Sequence, residues 1–208
     1  MQRLSERFVL VVHSFVTMRP IFPHSPKSLF TLAVAVLIGS AALLAQDVMK
    51  PTPTQQAAFE VIGIETRTNN AQEATGNGAI PKLWQRLYME GILDRVPNRI
   101  DHSVIAVYTK YASDWNGDYT YILGARVKPG AKVPAGMVAV SVPAGKYVEF
   151  VSARGPSPQV VPSLWKEIWT YFHEPGNPER AYKADFEAYD DMSDANNVQM
   201  KIYIGVKP

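Results

Sequence analysis

The chain has 208 residues, of which 47% are hydrophobic and 11% aromatic, and a formal net charge of +2. That is the composition of one globular domain with an appendage, and it excludes a disordered chain. There is no cysteine, so a disulfide framework, a thiolate metal site, a cysteine nucleophile and a lipoprotein anchor are excluded as well.

The charge is unevenly spread. Residues 1–45 carry Arg3, Arg7, Arg19 and Lys27 against Glu6 alone. The remainder is near neutral, which argues against an extended basic surface for nucleic acid. Within this leader, "SLFTLAVAVLIGSAALLA" (Ser28 to Ala45) holds no charge and reads as a signal-peptide core or a short membrane anchor. Ala45–Gln46 is an acceptable cleavage point despite Leu43 three places before the cut, and Met18 offers an alternative start. Cations ahead of the apolar run place the following domain outside the cytoplasm, either periplasmic or secreted, or tethered to the membrane by residues 1–45. Residues 46–56, with "KPTPTQQ", read as a linker to a domain over 57–208.

A strand is expected at "FEVIGIETRT" (59–68), then a polar loop including "ATGNG" (74–78). A helix follows from about Pro81 to Leu93, with Leu83, Leu87 and Met89 beside Trp84 and Tyr88 in a core-facing stripe. Two strands, 104–111 and 118–127, flank "ASDWNG", whose Asn-Gly marks a turn. "VPAGMVAVSVPAGKY" holds a strand and a Gly turn. The next elements are a strand at 146–154, a helix from about Pro162 to Phe172, and strands in "ADFEAYDD" (184–191) and "VQMKIYIGV" (198–206).

The chain repeats itself. "IPKLWQRLY" (80–88) returns as "VPSLWKEIW" (161–169), 81 residues later, and the same offset aligns Tyr108 with Tyr189 and Gly124 with Gly205. One register across three elements indicates a duplication. The expected fold is α+β: two βαββ units with pseudo-twofold symmetry, antiparallel sheets with helices on one side, and the opposite, free faces enclosing a central ligand groove.

In "ADFEAYDD", alternation puts Phe186 and Ala188 on one side and Glu187 and Tyr189 on the other. Either the second side is solvated, or Glu187 lies at the floor of a pocket. The 81-residue shift places Ala106 opposite in role to Glu187, so the acid is added by one half alone. Tyr108 and Tyr189 share its phase and are candidate walls. Trp115, in the hairpin turn, is a candidate lid, and Tyr147 and Phe150 belong to the strand expected to border the groove. Trp84, Trp165 and Trp169 on the helix stripes are expected in the core. A carboxylate beneath aromatic faces suits a lipophilic cation.

Catalytic constellations are missing. His102 and His173 lack a metal-binding motif, Asp101-His102-Ser103 are too close in sequence for a triad, and no Gly-x-Ser-x-Gly occurs. Asp190, Asp191 and Asp194 read as a solvated turn. No metal or cofactor is expected.

The run "IPKLW…GDYTYILGARV…VPAGMVAVSVPAGKYVEF…LWKEIW…DFEAYDD…IYIGVK" resembles the GyrI-like effector-binding domain, over about residues 57–207. That family includes ligand-binding domains of AraC-type and MerR-type regulators and stand-alone integron-associated binding proteins. The resemblance implies a duplicated βαββ fold that binds lipophilic, often cationic, small molecules, with Glu187 matching the acid that receives the cation. No helix-turn-helix is legible, so a partner nucleic acid is not expected. Some relatives resemble hydrolases of cyclopropane-containing toxins, which makes Glu187 a general base in an alternative reading. Others bind proteins, which makes an interaction module a second alternative.

Overall fold

Segments rich in Val, Ile, Tyr and Thr favour the pleated conformation. In the computed structural model, which describes residues 50–208, eight strands form one antiparallel sheet. They are β1 (Thr52–Gln56), β2 (Phe59–Thr68), β3 (Val104–Thr109), β4 (Tyr119–Val127), β5 (Val138–Val142), β6 (Gly145–Val151), β7 (Ala184–Tyr189) and β8 (Lys201–Gly205). Their spatial order is β1-β6-β8-β7-β3-β4-β2-β5. The duplication is legible in that order, since reading outward from the central β3–β7 pair meets equivalent strands on both sides.

Four helices accompany the sheet: α1 (Asn70–Gln72), α2 (Ala79–Met89), α3 (Ile92–Arg95) and α4 (Ser157–His173). The stripes on α2 and α4 bury Leu83 and Leu87, and Leu164 and Ile168. These pack with Ala106, Tyr108, Leu123, Tyr189 and Ile202 into the core on the helix side of the sheet. A second core on the opposite face takes no helix residue. There Phe186, fully buried, meets Tyr203 at 4.4 Å, Phe59 at 5.0 Å and Tyr147 at 5.7 Å between ring centroids. Phe59 stands three strands from Phe186, a separation of roughly 14 Å in a flat sheet. The 5.0 Å contact therefore requires strong coiling of the sheet around Phe186.

Three expectations change. Residues 52–56 are not linker but the edge strand β1, paired with β6 from Thr52↔Glu149 to Gln56↔Gly145. Pro53 lacks an N–H, which suits an edge and disguises the strand in sequence. Its counterpart β5 pairs with β2, so each leading strand completes the other repeat. The free faces also do not enclose a groove. β3 and β7 pair edge to edge, which merges the halves into one sheet and folds the helix-free face onto itself as the second core. Finally, Glu73–Asn77, where a loop was expected, is a π-helical turn with Gly76 at φ +77°. Glu73 there accepts from the N–H groups of Ala79 and Ile80, supplying the cap that Gly78 cannot.

The α4 helix begins at Ser157, ahead of Pro162, which sits inside it. The apolar run Ser28–Ala45, the Ala45–Gln46 junction and residues 46–49 lie outside the described residues. Among the described residues no helix is long and apolar enough to cross a membrane.

Gly63 and Gly124 face each other across β2 and β4. A Cβ on Gly124 would collide with the Ile62 carbonyl, whereas one on Gly205, its repeat equivalent, would lie 2.9 Å from the Ala184 carbonyl oxygen. Gly124→Ala is expected to destabilise the protein by about 3 kcal/mol, and by more than Gly205→Ala. Urea unfolding of the two variants checks this.

Candidate functional site

β3 and β7 are buried along their whole length, and their register sets Ala106 directly opposite Glu187. These two positions are also equivalent in the repeat, so the pseudo-twofold axis passes between them. A glutamate at both would put two carboxylates side by side in a dry interior, where like charges repel strongly. The alanine makes room for one.

Glu187 is 1% exposed, which rules out a solvated strand face. Its Oε1 accepts from the Tyr108 hydroxyl at 2.9 Å and from Trp165 Nε1 at 2.8 Å, and its Oε2 accepts from the Tyr189 hydroxyl at 2.8 Å. The equivalent tyrosines thus reach the one acid from both sides of the axis. The equivalent tryptophans cross over: Trp84 meets Tyr189 edge-on at 5.0 Å and Trp165 meets Tyr108 at 5.1 Å. Trp84 Nε1 donates to the Tyr121 hydroxyl at 3.0 Å, and Tyr121 and Tyr119 pack on Tyr108. Each helix lays its indole over the other repeat's tyrosine, and the result is a closed aromatic box around a carboxylate.

All three donors to Glu187 are neutral, and among the described residues no cationic side chain forms an ion pair with it. Asp185, two residues earlier on the same face, is fully buried too. It has its cation: Arg180 donates to Oδ2 at 2.6 Å, Tyr111 donates to the same oxygen, and the Gly205 N–H donates to Oδ1 at 2.8 Å. Burial pushes the Glu187 carboxyl above its ordinary value, and the bonds from Trp165, Tyr189 and Tyr108 offset only part of that. Burial, reinforced by the Glu187 charge, pushes the Tyr108 and Tyr189 hydroxyls well up, so both remain donors.

Of the residues expected at the site, Glu187, Tyr108 and Tyr189 come together and three do not. Tyr147 lies in the opposite core with its hydroxyl on the Pro143 carbonyl. Phe150 is on the helix side but packs on Tyr171 and Phe172. Positions three apart on one strand point to opposite faces, so the two could never share a wall. Trp115 lines a separate cavity near the end of α4. Trp84 and Trp165 pack against the helix-side core as expected and also supply the indoles of the box, whereas Trp169 is 38% exposed. Their signal was the repeat itself, in which Trp84 and Trp165 are identical and stand in register with the paired tyrosines. Among the described residues no cluster of His, Asp and Glu could hold a metal ion.

Comparison with known proteins gives this geometry a context. The family model of integron-associated effector binding proteins matches residues 54–206. YobU of Bacillus subtilis (strain 168), described as a transcriptional regulator, is 34% identical over 149 residues, covering 70% of this chain and 90% of its own. An integron cassette protein from the mobile metagenome of Vibrio cholerae superimposes with a TM-score of 0.62 at 33% identity, over 76% of this chain and 97% of that one. SAV2435, solved bound to tetraphenylphosphonium, shares the fold with a TM-score of 0.62 at 22% identity, over 76% and 94% of the two chains.

A carboxyl whose folded pKa is raised adds stability that is complete below its ordinary value of 4.5 and is lost as pH rises through the raised one. The stability of the protein relative to its Glu187→Gln variant should therefore fall with rising pH above that value, with a slope of at most about 1.4 kcal/mol per pH unit. Paired urea titrations from pH 4 to 8 measure it. Tyr189→Phe, which removes a donor to the charged form, should leave the start of the falling segment in place and extend its upper end to higher pH.

Proposed function

The chain belongs to the integron-associated effector binding proteins, with an effector-binding, GyrI-like fold, and from that premise we propose that it binds a small lipophilic cation in the aromatic box over Glu187. The observation that carries this reading is the contrast within β7. Asp185 is neutralised by Arg180, whereas Glu187 is equally buried and receives only neutral donors. A buried carboxylate without a cation is costly, so it holds a proton or recruits a charge from outside. An external cation at about 4 Å gains roughly 4 kcal/mol at an effective dielectric near 20, and each indole or phenol face adds about 0.5–2 kcal/mol. The tetraphenylphosphonium bound by SAV2435 is a cation of this class.

Since Glu187 is 1% exposed, a ligand reaches it only as Trp84 or Trp165 turns aside. The hydrolase reading, with Glu187 as base, draws less support, because each carboxylate oxygen already accepts from a protein donor. No feature of the site favours a protein partner over a small molecule. For location, the uncharged run Ser28–Ala45 behind Arg19 and Lys27 supports export or tethering outside the cytoplasm.

Binding a cation requires the ionised acid, so tetraphenylphosphonium affinity should rise with pH through the Glu187 titration and level off above it. Calorimetry in buffers of different ionisation enthalpy should show proton release below the plateau. At pH 8, Glu187→Gln should weaken binding by about tenfold or more. Equal affinity in the variant would remove the acid's role, and consumption of the ligand would make the site catalytic. Cell fractionation with a C-terminal tag checks location, and recovery in the cytoplasmic fraction would overturn export.

A further inference from the structure

A cavity of about 570 Å3 lies at the C-terminal end of α4, and Glu187, Tyr108 and Tyr189 take no part in its lining. Its walls are Trp115 from the turn between β3 and β4, Trp169, Phe172 and His173 from the end of α4, and Arg180 and Tyr182 from the segment before β7. The volume is within the range of small-molecule sites.

Three features set it apart from incidental surface. Trp115 and Trp169 are 40% and 38% exposed, so two indoles are kept in water beside one hollow. Tyr182 holds a left-handed backbone with φ 51°, a strained conformation for a bulky aromatic. It is pinned there by the Arg180 guanidinium, 4.6 Å above its ring, and by Tyr111, 5.5 Å away edge-on. Third, His173 Nδ1 lies 2.6 Å from the Trp169 carbonyl. A carbonyl only accepts, so Nδ1 carries the proton and Nε2 of the neutral ring is an acceptor.

The duplication separates scaffold from addition. Arg180 bridges to Val206 as its equivalent Arg99 bridges to Val127, so the arginine belongs to the fold. Trp169 repeats as Tyr88, but the rest of the aromatic wall does not repeat. Shifted by the 81 residues of the repeat, Trp115 meets Asn196, Phe172 meets Gly91, His173 meets Ile92 and Tyr182 meets Asp101. A fold that stands without these rings in one half does not need them in the other.

The charges at the rim are answered internally. Arg180 pairs with Asp185, Lys207 pairs with Glu179 at 2.6 Å, and Asp114 turns its carboxylate to the Asn116 N–H. Unlike Glu187, the buried Arg180 has its counter-charge in Asp185, and only its Nε–H is left without an acceptor. We infer that the cavity is a second ligand site, for a flat, uncharged heteroaromatic molecule that packs on Trp115 and Trp169 and donates an N–H or O–H to His173 Nε2. This inference stands independently of the cation site.

Indole is the probe, with N-methylindole as the analogue lacking the donor. Binding to the full chain in mild detergent is followed by saturation-transfer NMR at pH 7.5 against a detergent blank. Indole should bind saturably at one site, and N-methylindole about fivefold more weakly, the worth of one hydrogen bond. Trp115→Ala should weaken indole about tenfold, and His173→Phe should abolish the difference between the two probes. The Trp115 backbone carbonyl, not its indole, holds Asn70, so that variant keeps its fold, and an unchanged melting temperature checks this. Glu187→Gln should leave indole binding as it was, and tetraphenylphosphonium should not displace it. Absence of saturable binding, indifference to Trp115→Ala, equal affinity for the two probes, or loss on Glu187→Gln would each overturn the proposal.

Discussion

A twofold axis cannot carry a lone charge unless the two halves differ, and the pairing of β3 with β7 places that axis between Ala106 and Glu187. The rest of the box follows. With alanine opposite, one carboxylate fits. The tyrosines two positions along each strand converge on its two oxygens, and the tryptophan of each helix reaches across to the other repeat's tyrosine. Symmetry supplies the walls, and a single departure from it supplies the chemistry.

The same strand shows two ways to bury an acid. Asp185 is tied to Arg180, Tyr111 and a backbone N–H, and that cluster joins the last strand and the preceding segment to the centre of the sheet. It is a structural joint with its charge answered from within. Glu187 has hydrogen bonds without a counter-charge, so its protonation state and its ligand are linked. Burial alone would not have separated the two roles; the identity of the donors does.

Much of this could be read from residues. Strand boundaries followed from β-propensity and turn signals, and the facing of Glu187 and Tyr189 from simple alternation, because a period of two leaves little choice. The 81-residue offset revealed the duplication because Pro, Leu and Trp recur in one register. What stayed hidden was the way the halves join. Alternation fixes which residues share a face but not which face receives the helices, so a groove was placed on the side that is in fact the Phe186 core. The tryptophans were hidden for a related reason. A helix stripe points at the sheet whether it fills a core or roofs a site, and hydrophobic spacing does not report where an indole N–H ends. Trp115 was visible as an unusual turn residue, but its neighbours come from segments more than fifty residues away.

The exchange of leading strands has a consequence for how the chain is made. On the ribosome β1 is finished long before its partner β6 has been translated, so it must wait unpaired while the first repeat folds. A hydrophobic strand in that position would invite pairing with other nascent chains. Thr-Pro-Thr-Gln-Gln, polar and interrupted by Pro53, is suited to the delay. Its partner β6 joins the rest of the sheet only through β8, the last strand of the chain, so the start of the domain is tied into the sheet only through its end.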